Sequence, residues 1–328
     1  MDNEIFAIAD EDMDFMEKFN NFFQERYNSL FECHSFTGKE SLMDFGLSSH
    51  ISVLLIDSGM YDSDVDRLKA ERIFLLDEED GSLPENENVR KIDRFKNADS
   101  IIREILKVCA ENSEEKNRLS STGSSELFTV FSPVSRSLKT TFAICLSQLL
   151  SDRGRTLYIN TEPFSGFNQI FMKKYDGDLS DLLLYLQSGG GNFRFRLQST
   201  VETSEGFDYI PPAMMGEDVC CAESSLWIRL TEEAEKSGYE HIVFDCDSHL
   251  NGLSKILKKS SRIFMPVRQD QISKAKLTQF EAMLHIGGME EILPDIEKLR
   301  FPFFENLPSI SCDLRSCELG RYLSERIL

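Results

Sequence analysis

Lys139, Thr140 and Thr141 close a short polar loop that follows the apolar run LFTVFS and precedes a helical pattern. Between a strand and a helix, backbone N–H groups point at an anion in the loop, a lysine adds a point charge to phosphates, and a threonine hydroxyl ligates Mg2+. The loop body, PVSRSL, places Ser135, Arg136, Ser137 and Leu138 beside a bound phosphate. Its usual glycines are missing. Leu138 carries a Cβ where glycine normally allows close backbone approach, so the loop is expected to take ordinary φ values or to surrender some amide contacts. The chemistry indicated is nucleotide binding, with hydrolysis left open.

The elements that must position this loop are further strands with polar carboxyl ends. RTLYINTEPFSGFN follows at the distance of one helix and offers Asn160, Glu162 and Gly166, and YEHIVFDCDSH ends in Asp245 and Asp247. Acids at such positions hold a metal-bound water or position a switch loop. Asp247 is read either as a contact behind the metal or as a cap on its own loop, and Glu162 either as a water-positioning acid or as a solvated loop residue. SRIFMPVRQD is a fourth strand, followed by a helical segment from Ile272 to Leu284. In between, DLSDLLLYL reads as an Asp-capped amphipathic helix, SGGGNFRF as a turn into a strand or exposed loop, and FDYIPPAM as a strand stopped by two prolines.

The order, spacing and endings of these segments resemble the deviant Walker ATPases related to MinD and ParA, over nearly all of residues 126–328. Laid over the superfamily pattern KGGxGKTT, VSRSLKTT matches Lys139, Thr140 and Thr141, puts Val134 at the signature lysine and replaces the glycines. What the resemblance implies is ATP with Mg2+ as ligand, the metal held by Thr140 and by Asp245, whose strand lies beside the lysine-bearing one. Glu162 stands where the family's first switch carries an aspartate, which makes it the candidate catalytic residue. The signature lysine reaches across a nucleotide-sandwich homodimer, so its loss removes charge stabilisation at the transferring group and leaves hydrolysis weak or absent. Arg136 is a candidate substitute. The segment GDLSDLLLY corresponds to one that forms partner and dimer surfaces, although its apolar positions also suit an ordinary core. The family would bring a proline-containing loop from EILPDIEKLRFPFFENLPSI near the base, with LGRYLSERIL as a closing helix whose Leu319, Leu323 and Ile327 pack inward.

Ahead of this, in residues 1–110, short apolar runs alternate with helical patterns: EIFAIAD, a segment with Phe15, Phe19, Phe22 and Phe23 on one helix face, FECHSF, SVLLID, RIFLLD, and the Asn-capped NADSIIREILKVCA with Ile101, Ile105 and Cys109 or Val108 inward. Alternation of this kind predicts a parallel α/β sheet. Asp10, Glu11, Asp12 and Asp57 fall at strand ends, where clustered acids can hold Mg2+ and present a carboxylate nucleophile. The arrangement resembles a response-regulator receiver domain, with SVLLIDSGM as the phosphoacceptor strand. It departs at Asp77, where receivers carry Ser or Thr, and at Asp93, where they carry lysine; Lys91 lies two residues upstream as another alignment. Two added negative charges oppose a phosphoryl group, so the domain is expected to be an atypical receiver serving as a docking or dimer surface.

The fold class expected is therefore α/β: a flavodoxin-like receiver domain at 1–110, a linker at 111–125 rich in Ser, Asn and charge, and a MinD/ParA-like P-loop NTPase domain at 126–328. A net charge of −20 disfavours nucleic acid and anionic lipid surfaces. No stretch reaches the roughly 18 apolar residues that span a bilayer, and no basic leader precedes the first strand, so the chain reads as cytoplasmic. Its eight cysteines form no CxxC pair and read as reduced, mostly buried thiols.

The two resemblances in tandem match the TadZ/CpaE family of pilus assembly proteins. Membership implies an ATP-binding homodimer that marks a site such as a cell pole near the inner membrane, with the secretion and assembly machinery of Tad (Flp) pili as partner. It implies no specific nucleic acid and no direct membrane insertion. A phosphorelay regulator with an ATPase output domain and an active ParA-like positioning ATPase are the alternatives.

Overall fold

The computed structural model describes residues 4–77, 89–112, 125–189 and 191–327. Most of the expected linker at 111–125, and the charged segment after Asp77, lie outside the described residues. The chain divides into two compact units, Met1–Ile105 and Leu106–Leu328.

The N-terminal sheet is built from β1 (Glu4–Ala9), β2 (Phe31–Phe36), β3 (Ile51–Asp57), β4 (Ala70–Asp77) and β5 (Val89–Asp93), all parallel in the order β2-β1-β3-β4-β5. That is the flavodoxin-like order, which leaves the carboxyl ends of β1 and β3 side by side. Burial on both faces explains the unbroken apolar runs of β1 and β3. The helices are α1 (Met13–Arg26), α2 (Lys39–Ser48) and α3 (Ala98–Asn112). Helix α1 starts where Asp12 accepts from the N–H groups of Asp14 and Phe15, and it buries Phe19 and Phe23 against Phe6. Asn97 caps α3 through Ser100 N–H, and Ile101, Ile105 and Cys109 are buried together with Ile102, Leu106 and Ala110, whereas Val108 is half-buried.

The second sheet comprises β6 (Glu126–Phe131), β7 (Thr156–Asn160), β8 (Glu202–Ser204), β9 (Phe207–Tyr209), β10 (His241–Cys246), β11 (Arg262–Pro266) and β12 (Ile296–Leu299). Its order is β12-β11-β6-β10-β7-β9-β8. Every pairing is parallel except β8 with β9, a hairpin whose turn puts Glu205 and Gly206 at φ 46° and 89°, as tight hairpins require. The sheet is thus mostly rather than wholly parallel. Its helices are α4 (Lys139–Ser151), α5 (Phe167–Ile170), α6 (Leu179–Ser188), α7 (Phe193–Thr200), α8 (Gly216–Cys221), α9 (Ser224–Lys236), α10 (Leu253–Lys259), α11 (Gln271–Ile286) and α12 (Glu318–Arg326).

Two cores sandwich this sheet. On one side α4 and α12 bury Phe142, Leu146, Leu319 and Leu323 together. On the other, α6, α7 and α9 bury Leu182, Leu197, Trp227 and Leu230. Helix α6 carries a capping box between Asp178 and Asp181, and its leucines are core except Leu184, which is exposed. Residues 193–200 are helical, where SGGGNFRF reads as a turn into a strand or exposed loop. Asn192 caps the segment, and Phe193 with Leu197, four residues apart, are both buried. All eight cysteines are free; Cys109, Cys145 and Cys246 are buried, but Cys221 and Cys312 are exposed, so the mostly buried set is only partly found. Among the described residues no helix is long and apolar enough to cross a membrane.

Candidate phosphate-binding site

Strand β6 delivers the loop and α4 receives it. Ser132 Oγ donates to Pro266 O on β11 at 2.7 Å and accepts from Val134 N–H at 3.0 Å, while Ser137 Oγ donates to Val134 O at 3.0 Å. These bonds pin a loop that has no glycine. Arg136 and Leu138 nonetheless adopt φ 55° and 63°, the left-handed region that L side chains resist at roughly 1–2 kcal/mol each. This overturns the expectation for Leu138: the loop keeps the glycine-like backbone and bears the strain. Left-handed residues alternating along a loop form a concave nest of N–H donors. The N–H groups of residues 135–141 have no acceptor among the described residues.

Lys139, the first residue of α4, is the centre of charge. Its Nζ lies 2.8 Å from Glu162 Oε1 and 2.9 Å from Asp245 Oδ1, and donates to Cys246 O at 2.9 Å. Burial alone would lower its pKa, but the carboxylates of Asp245 and Glu162 outweigh that and raise it above the usual lysine range. The ammonium is therefore fixed in its charged form. Around it lies a cavity of about 460 Å³ that includes Ser135, Arg136, Leu138, Lys139, Thr140 and Glu162, together with Ser137 and Thr141. Arg136 is exposed, whereas Val134 is only 5% exposed.

Asp245 does not line that cavity. It closes β10 beside β6, fully buried behind Lys139. Its Oδ2 accepts from Tyr158 Oη at 2.9 Å, and Asn160 Nδ2 donates to the same phenol oxygen at 2.9 Å. Burial, then the Asp245 charge, holds the Tyr158 phenol far above its ordinary pKa, so it stays a donor. Asp245 Oδ1, although within ion-pair distance of Lys139, accepts no well-directed hydrogen bond. Thr140, which lines the cavity, carries a hydroxyl of the kind that ligates Mg2+, whereas Asp245 would become a ligand only after the Lys139 ammonium left its Oδ1. No cluster of three or more acidic, His or Cys ligands exists among the described residues, so phosphates and water would complete the shell. Asp247 lines the cavity and caps its own loop, accepting from His249 N–H at 2.8 Å.

Sequence reading missed Thr161. Its N–H and hydroxyl both donate to Asp245 O, at 3.1 and 3.2 Å, while its Oγ1 accepts from Asp247 N–H at 2.9 Å, tying the ends of β7 and β10 together. The loop expected near the base contributes nothing to the cavity; its Phe301 packs instead on Phe142, rings 5.6 Å apart.

In the N-terminal domain the acids at the ends of β1 and β3 meet a cation that the sequence reading passed over. Arg94, one residue beyond β5, donates through Nη1 to Asp10 Oδ2 at 2.6 Å and to Asp57 Oδ1 at 2.7 Å, and through Nη2 to Asp10 Oδ1 at 3.2 Å. Lys91 is paired with Asp77 at 2.5 Å. Asp93 caps the turn at Phe95 N–H, 2.9 Å away.

No curated protein matches the sequence. Among solved structures, the chain is similar to a ParA family ATPase from Chlorobium tepidum at 15% identity and TM-score 0.47, covering 62% of this chain and 94% of that one. It is also similar to a plasmid partition protein from Borrelia burgdorferi bound to AMPPNP, at 16% identity and TM-score 0.42, covering 62% and 81%. A third is cobyrinic acid a,c-diamide synthase from Mycobacterium smegmatis with ADP and magnesium, at 15% identity and TM-score 0.44, covering 62% and 82%. The family model described as TadZ-like, receiver domain, matches residues 4–110. The N-terminal domain of this chain belongs to the TadZ-like receiver family.

Proposed function

We propose that the chain is an ATP-binding localisation factor for Tad (Flp) pilus assembly, whose bound nucleotide stabilises a homodimer and turns over slowly or not at all. The observation that carries this reading is the loop that keeps two non-glycine residues, Arg136 and Leu138, in left-handed geometry while Val134 stands in for the signature lysine. Strain retained without glycine supports selection for anion binding, and a missing lysine supports loss of catalysis. In this reading Mg2+ is held by Thr140 beside the phosphates, and by Asp245 once the Lys139 ammonium has turned from it to the nucleotide. Slow turnover makes the nucleotide-bound state long-lived, so the protein marks a position, such as a cell pole, for the pilus machinery. The TadZ-like receiver domain supports the pilus assignment and is the surface we assign to the machinery. Equilibrium titration with ATP, with and without Mg2+ and followed by light scattering, tests the reading. Micromolar binding with doubling of mass, and phosphate release at the buffer rate, are expected. Failure to bind at millimolar ATP ends it, and turnover that Lys139→Ala abolishes would favour an active positioning ATPase.

A further inference from the structure

Receiver folds hold a divalent cation among the acids at the ends of their first and third strands. Here the residues do not fit one. Arg94 Nη1 stands between Asp10 and Asp57, at 2.6 and 2.7 Å, where a metal bridging both carboxylates would have to lie. Both oxygens of Asp10 accept from the guanidinium, and Oδ1 also accepts from Asp12 N–H at 2.8 Å. Asp57 is divided in the same way, its Oδ1 given to Arg94 and its Oδ2 to Gly59 N–H at 2.9 Å. Asp12 Oδ2 is 3.7 Å from Nη2.

We propose that Arg94 is a built-in cation that replaces the divalent ion of this site, so that the receiver-like domain is fixed in one state without metal or phosphate. Three features support permanence. The side chain is 15% exposed, and Asp10 is buried, so water screens the contact little. The guanidinium lies over the Phe15 ring, 5.0 Å from its centroid, which holds the plane of the fork. The turn that presents it is closed by Arg94 N–H to Asp77 O at 3.1 Å and by Phe95 N–H to Asp93 at 2.9 Å. The Asp93 that displaces a receiver's lysine thus shapes the turn from which Arg94 reaches back. A guanidinium is always charged, so unlike a metal it neither dissociates nor awaits a phosphoryl group.

The test counts Mn2+ bound to the full chain without nucleotide, by the electron paramagnetic resonance of the free ion. The expected result is no Mn2+ in the wild type that Asp57→Asn removes, and one in Arg94→Gln that Asp57→Asn in that background does remove. An Asp57-dependent ion in the wild type overturns the proposal, as does a folded glutamine variant that gains none. Should Arg94→Gln unfold, Mn2+ is added. Recovery of the fold means that the ion has taken the guanidinium's place and supports the proposal, whereas a variant still unfolded in saturating Mn2+ overturns it.

Discussion

Glu162 Oε1 lies 2.8 Å from Lys139 Nζ, so the charge of the loop's lysine is neutralised from within the protein. Asp245 holds the same ammonium from the buried side at 2.9 Å. A triphosphate bound as proposed would have to compete with both carboxylates for one lysine. Of the two, Glu162 is the displaceable partner, with its side chain 31% exposed against 0% for Asp245.

Glu162→Gln should therefore tighten binding of magnesium ATP. Removing a partly exposed ion pair of about 1 kcal/mol predicts roughly a fivefold gain in affinity, read by equilibrium titration. Weaker binding in the variant would instead mean that Glu162 works for the nucleotide, through its metal or its attacking water.

Lys139→Met leaves Asp245 buried without a counter-charge and should cost about 3 kcal/mol of unfolding free energy. Its pH course follows from the raised lysine pKa. A raised folded value gives stabilisation that is complete below the ordinary lysine value, near 10.4, and is lost only as pH climbs through the higher one. Urea melts of wild type and variant should show a constant gap between about pH 7 and 9. A gap that closes within that window contradicts this account of the lysine.

The left-handed conformation of Arg136, an exposed residue, gives a direct measure of loop strain. Arg136→Gly should raise stability by up to about 1 kcal/mol, the relief of strain less the extra chain entropy of glycine. Arg136→Ala cannot relieve the strain and should give no gain. Equal melting temperatures for the two variants would mean that the loop stores nothing at this position.

The two mostly parallel sheets were legible because they rest on a type of signal that survives in one dimension. Parallel strands buried on both faces read as apolar runs, and the groups that meet the Lys139 ammonium read as polar residues near the strands' carboxyl ends, as with Glu162 and Asp245. Arg94 was not legible, since its partners lie 84 and 37 residues away and meet it only through the strand order. A single arginine after a strand in a row of acidic strand ends was the available hint. The backbone of Leu138 was unreadable for the opposite reason: its side chain argues against the conformation that the tertiary bonds of Ser132 and Ser137 impose. Residues 193–200 misled because four alternating residues do not separate the two periods, and only Leu197 adds the helical one.

Val134 belongs to the protein interior, with 5% of its surface in contact with solvent. It also lines the cavity around Lys139, so a longer side chain at this position would reach a phosphate only by leaving the packing that the valine fills. The valine thus makes that wall of the cavity uncharged, and among the lining residues Lys139 is left as the one lysine facing a bound anion.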